Sequence, residues 1–238
     1  MRMCNLSLQQ PVKSWSPQFK VRKTKPKPEP VGQRNTSVMS HFPTWKGTFR
    51  MERLRHYFHV DLASILEVDP EVRHWTADVK PYQFQVGDRA ISYRPSFLVT
   101  TEATKQALRL VRAGNRKAIA TSERHQMLAD LFDEIGIEFI VLTDADVRES
   151  PRLPVAKEIL FHRYPGVPDE IPMAIAAMAL AGAPKTLGEL EARLGEPGPA
   201  TWTLVCAAVA EGLVDIDLDA GLSRNTAVLA CKLKGYRQ

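Results

Sequence analysis

Apolar residues between positions 52 and 68 recur at helical spacing: Leu54, Tyr57, Phe58, Leu62, Ile65 and Leu66. That spacing predicts a first helix over 52–68, with ordered structure expected from near residue 50. The period then shortens. Residues 82–86, 90–93, 97–100 and 107–111 read as strands, with 117–120 as a further short run. Gly87-Asp88 between the first two is a hairpin turn signal. Ser122 opens a second helix carrying Leu128, Leu131, Phe132 and Ile135 on one face, and Gly136 closes it. The unbroken apolar run 137–142 predicts a buried strand.

A second pattern follows Pro151 and Pro154. Helix is predicted over 155–163, a break over 165–172, and helix again over 173–180. Thr186 caps a short helix ending at Leu194, and 200–210 forms another that stops at Gly212, with Trp202 as a core anchor. LVDIDL and TAVLACKL then read as two strands joined near Gly221. Three helices followed by two strands is the winged-helix order. The fold class expected is α/β.

Composition narrows the class without choosing a function. A chain of 238 residues that is 44% apolar and 25% charged has the ordinary globular mixture. No apolar stretch reaches the roughly 18 residues of a membrane span, and no signal-type apolar core appears at the N-terminus. Cys4, Cys206 and Cys231 are odd in number and far apart, which argues against a disulfide framework and for a cytoplasmic protein. Charge is uneven. Residues 1–40 hold eight Lys or Arg against the single acid Glu29, whereas 41–238 hold 24 against 26 acids. The run Lys23-Thr24-Lys25-Pro26-Lys27-Pro28-Glu29-Pro30 alternates charge with proline, so the segment carrying Arg22, Lys23, Lys25 and Lys27 is expected to be extended and to neutralise phosphates. Trp15 and Phe19 beside it are available to stack on bases.

The run ILEVDPEV, VKPYQFQV, ISYRPSFLV, then ALRLVR and LFDEIGIEFIVLTDADVR, resembles the TnsA-type transposon endonucleases. The likeness covers about 45–155 well and 156–238 loosely. It implies a restriction-endonuclease-like fold of the PD-(D/E)XK class, a mixed central sheet flanked by helices, followed by a small winged-helix-like α+β domain. The organisation implied is a basic flexible arm over 1–44, a nuclease-fold domain over 45–153 and a winged-helix-like domain over 154–238. In that family an Asp and a Glu on neighbouring strands hold Mg²⁺, a Lys two residues after the Glu handles the water, and a first-helix Glu adjoins the metal. Here Ser96 stands in the place of the Asp, Leu110 in that of the Glu, Arg112 in that of the Lys and His59 in that of the helix Glu. Leucine offers no ligand, serine is a poor one for Mg²⁺, and arginine stays protonated.

The resemblance therefore implies a DNA-associated protein of a mobile element or phage-like system, nucleoid-associated, with no catalytic residues, no resident metal and no cofactor. It would hold DNA or dock a transposase or recombinase. Lys80, Arg94, Arg109, Arg112, Arg116 and Lys117 are the cations expected around the former cleft. One alternative is an active Mg²⁺- or Mn²⁺-dependent endonuclease with migrated ligands, for which Glu102 and Asp88 are the nearest acids. The other is a non-enzymatic adaptor. His56 and His59 lack a second ligand pair at zinc spacing and read as ordinary helix residues. In the C-terminal part, 200–210 carries no base-reading side chain, so only Arg224, Asn225, Lys232, Lys234 and Arg237 are placed to meet phosphate. That module reads as a protein-docking element.

Overall fold

The computed structural model describes residues 40–47, 50–112, 122–163 and 167–232. It is mixed α/β, as the alternating patterns predict. The chain divides into two compact units: one contains the hairpin within Lys80–Arg94, the other the remaining described residues from 40 onwards.

The hairpin is β4 (Tyr82–Val86) and β5 (Arg89–Tyr93), paired antiparallel with Val86 opposite Arg89. Gly87 turns it at φ 56°, a left-handed conformation that glycine adopts without strain. Gln83 Nε2 donates to Ser92 Oγ across the pair at 2.9 Å.

The larger unit starts with β1 (Ser40–Pro43), before the point near residue 50 where ordered structure was expected. It pairs antiparallel with β2 (Met51–Leu54). Helix α1 therefore spans Tyr57–Val68 and not the whole of 52–68. The reason is Glu52. It is 1% exposed, so the inward face of β2 carries a carboxylate as well as Leu54, and the strand alternation is hidden in the sequence. Glu52 accepts from Thr76 Oγ1 and from Ala77 N, both at 3.2 Å. Strand β3 (Val72–Thr76) was not foreseen. A register shift between Val72 and His74 breaks its alternation.

The central sheet runs β3-β6-β7-β8, with β6 (Phe97–Thr101), β7 (Lys105–Val111) and β8 (Ile137–Thr143). β3 and β7 are antiparallel to β6, while β8 is parallel to β7, with Leu110 beside Leu142. Side-chain alternation gives each face its own partner. Trp75, Phe97, Val99, Leu108 and Leu110 join the core cluster built on Phe58, Leu62, Ile65 and Leu66 of α1. On the opposite face α2 (Ser122–Asp133) lies against β8, with Phe132 stacked on Phe139 at 5.4 Å. The run 117–120, read as a short strand, lies outside the described residues.

A short helix α3 (Asp144–Arg148) follows β8. Thr143 Oγ1 accepts from Asp146 N at 3.1 Å, and Thr143 N donates to Asp146 Oδ2 at 2.7 Å, a reciprocal cap. α4 (Arg152–Phe161) packs against α1. α5 (Glu170–Ala181) begins inside the stretch read as a break, because Pro172 falls in its first turn, where its missing N–H costs no helical bond. α6 (Leu187–Leu194) is capped by Thr186 Oγ1, which accepts from Glu189 N at 3.2 Å, as predicted. α7 (Pro199–Ala210) buries Val205 through Ala210. Two short antiparallel strands, β9 (Val214–Ile216) and β10 (Val228–Cys231), end the described chain. The core of this unit is continuous from Phe42 to Leu218.

Candidate functional site

The four positions singled out for lost catalytic groups meet at one end of β6 and β7. Ser96 precedes β6, and its Oγ accepts the Leu110 N–H at 3.0 Å, while Ser96 N donates to Leu108 O at 2.8 Å. Ser96 thus extends the ladder between two core strands. His59, on the first turn of α1, sets its ring 5.4 Å from that of Phe97, the residue after Ser96. The Arg112 guanidinium lies over the Phe58 ring at 5.8 Å. Leu110 is buried within the core and Arg112 is exposed.

The chemistry of this end is cationic and aromatic. His56 and His59 are edge to face at 5.4 Å, and His56 stacks on Phe58 at 5.1 Å. Burial, then the charges of Arg112 and Arg55, push His56 below its ordinary value. Burial, then His56 and Arg55, push His59 down to about 4. Both rings are neutral at pH 7. His125 is lowered as well, by burial and then by Arg109 and Arg124. Its Nε2 is buried without a hydrogen-bond partner among the described residues. Positive charge therefore gathers around the end of β7 from both faces of the sheet.

Glu102, one of the two acids offered as migrated ligands, lies away from this end. Glu102 follows the far end of β6, six residues from Ser96, which is about 20 Å at strand rise. It is ion-paired with Arg73. It cannot share a metal with groups at Ser96. Asp88 sits in the hairpin turn of the other unit. Among the described residues no group of three His, Cys, Asp or Glu side chains is arranged to hold a metal. A cleft of about 880 Å³ opens at the Glu102 end, lined by Lys105, Asp130, Asp133 and Glu138 among others. It is acidic as well as open and lies away from Ser96.

The remaining cations divide. Arg109 is half-buried on β7, Lys80 is exposed and Arg94 half-buried in the hairpin unit. Arg22, Lys23, Lys25, Lys27, Arg116 and Lys117 lie outside the described residues, as do Lys234 and Arg237. Two cations assigned to phosphate in the C-terminal part are engaged within the protein. Arg224 forms a bidentate pair with buried Glu191, Nε to Oε2 at 2.6 Å and Nη2 to Oε1 at 3.0 Å, and lies 5.3 Å over Trp202. Lys232 Nζ pairs with Asp215 Oδ2 at 2.7 Å. Trp202, expected as a core anchor, is half-buried and serves as the platform for Arg224.

A cluster absent from the sequence reading lies at the other end of α1. Glu67 is 1% exposed and accepts from Thr44 Oγ1 and Trp45 N at 2.6 Å, Trp75 Nε1 at 2.9 Å and Arg163 Nη2 at 3.1 Å. Arg163 also donates to Pro43 O at 2.9 Å and covers the Trp45 ring at 5.0 Å. Every carboxylate lone pair direction is occupied, so Glu67 is a structural anchor. Three of the four donors lie 22 to 96 residues away, so no local pattern signals the cluster.

No protein-family model matches this chain, and no curated protein matches it.

Proposed function

We propose that this protein binds DNA, without metal, at the end of β6 and β7, through a TnsA-like nuclease fold whose catalytic groups have been replaced. The observation that carries the reading is the Ser96–Leu110 contact: the two positions of the missing acids are adjacent, and a hydrogen bond of the sheet fills the space between them. Arg109 and Arg112 flank it. Exchange of carboxylates for Ser, Leu and His removes the repulsion that phosphate meets at an empty metal site. What supports the fold reading is the mixed sheet with α1 on one face and α2 on the other. The resemblance supplies the setting, a mobile element acting on nucleoid DNA in the cytoplasm.

The C-terminal helices and β pair are read as a winged-helix-like module that docks a transposase or recombinase. What supports docking over base reading is the internal engagement of Arg224 and Lys232, together with exposed Met173 and Leu180 on α5.

The test is fluorescence anisotropy on a labelled duplex in EDTA across a salt series. Log affinity should fall with log salt by about 0.9 per phosphate neutralised. The double variant Arg109→Gln/Arg112→Gln should lose affinity and slope. If only Lys23, Lys25 and Lys27 matter, the folded part is an interaction scaffold and the DNA-binding cleft is wrong.

A further inference from the structure

We infer that the N-terminal arm docks on the hairpin of β4 and β5, with the apolar side of residues 14–21 laid across the face that carries Phe84 and Tyr93. The inference stands apart from the DNA-binding reading and starts from a burial that the hairpin cannot supply for itself. The register sets Tyr82 opposite Tyr93 and Phe84 opposite Ile91, so alternation puts Tyr82, Phe84, Val86, Ile91 and Tyr93 on one face. Gln83, Gln85, Ala90 and Ser92 take the other, where Ala90 and Ser92 are exposed. A two-stranded ribbon has no second layer, so both faces meet solvent unless another segment covers one. Phe84 is nevertheless 4% exposed and Tyr93 8%. The rings of Tyr82 and Phe84 stack at 6.1 Å, and burial pushes the Tyr82 hydroxyl above its ordinary value. None of the three rings stands free.

The compact unit that holds the hairpin comprises residues 1–28 and 80–94, which names the arm as the occupant. Residues 1–39 lie outside the described residues, but their sequence has the pattern that the face requires. Trp15, Pro17, Phe19 and Val21 alternate with Ser14, Ser16, Gln18 and Lys20, so an extended chain here has one apolar side and one polar side. Trp15 and Phe19 are four residues apart, as are Tyr82 and Val86, which is about 13 Å at strand rise. Pro17 has no N–H to give to a ladder, which favours a course across the face over pairing with an edge. Docking of this kind commits Trp15 and Phe19 to the hairpin instead of to bases. It leaves Arg22, Lys23, Lys25 and Lys27, just past the anchor, as the part of the arm that meets phosphate.

The test is NMR on the ¹³C,¹⁵N-labelled full chain. Nuclear Overhauser contacts are expected from the Trp15 and Phe19 rings to those of Phe84 and Tyr93. Amide exchange is then followed in the full-length double variant Trp15→Ser/Phe19→Ser. The amides of β4 and β5 should exchange about tenfold faster or more, while those of β7 keep the wild-type rate. Absent ring contacts in the wild type overturn the inference whatever the variant does. Ring contacts with unchanged hairpin exchange overturn the cover. Equal acceleration at β7 overturns a local role for the arm. Contacts seen only between labelled and unlabelled copies in a mixed sample would give the face to a second copy of the chain and sink the inference as well.

Discussion

The backbone N–H of Leu110 donates to the side chain of Ser96 at 3.0 Å, so two residues that look like losses of catalytic function act as a pair in the sheet. Leucine keeps the inward face of β7 apolar. Serine satisfies the Leu110 amide of β7, beyond the Phe97–Leu108 pair.

Ser96→Ala should cost about 1–2 kcal/mol, since it leaves the Leu110 amide without its acceptor in a mostly buried position. Urea unfolding with an unchanged m-value would register it. A neutral result would mean that water reaches that amide.

Glu67→Ala should be far worse, roughly 3–5 kcal/mol, because it removes the counter-ion of the 6%-exposed Arg163 guanidinium and the acceptor of the Trp75 indole N–H. Glu67→Gln keeps the shape without the charge and should fall between wild type and Ala. The ordering of the three melting temperatures checks the assignment.

Stability should fall with acid through His59. Its folded pKa of about 4 lies below the ordinary 6.5, so between those values the unfolded chain binds more protons than the folded one. The contribution is fully present above about pH 6.5 and is lost as pH falls toward 4, up to roughly 2–3 kcal/mol. Melting curves at pH 7.5 and 4.5 for wild type and His59→Gln decide it, since the variant should show the smaller loss.

Arg224→Gln should lower the melting temperature without changing the salt dependence of DNA binding, because its guanidinium is held by Glu191. Arg112→Gln should do the reverse, reducing the salt slope by about one with little change in stability. A reduced slope in Arg224→Gln would place DNA on the C-terminal module.

The sequence exposed those elements whose signals are local. Helix α2, the strand after Gly136 and the Thr186 cap were legible because apolar period and cap chemistry lie within a few residues of one another. β2 and β3 were not. A buried Glu52 and the shift after Val72 remove the alternation by which a strand is read. Fourteen residues from Ser96 to Leu110 matched two neighbouring strands, so their adjacency was foreseeable. The pairing of Glu191 with Arg224 across 33 residues was not, and neither was that of Glu67 with Arg163 across 96, because no pattern in the chain encodes a distant ion pair.

α1 touches the candidate site at its first turn and is bolted down along the rest of its length. Asp61 takes Lys157, Glu67 takes Arg163, and Asp69 takes Arg152, which also grips Asp219. Its twelve residues make a rod about 18 Å long. A rod clamped in this way shifts as one body, so a load on α4 or on the Asp219 turn would arrive at Tyr57 as displacement instead of being absorbed along the way.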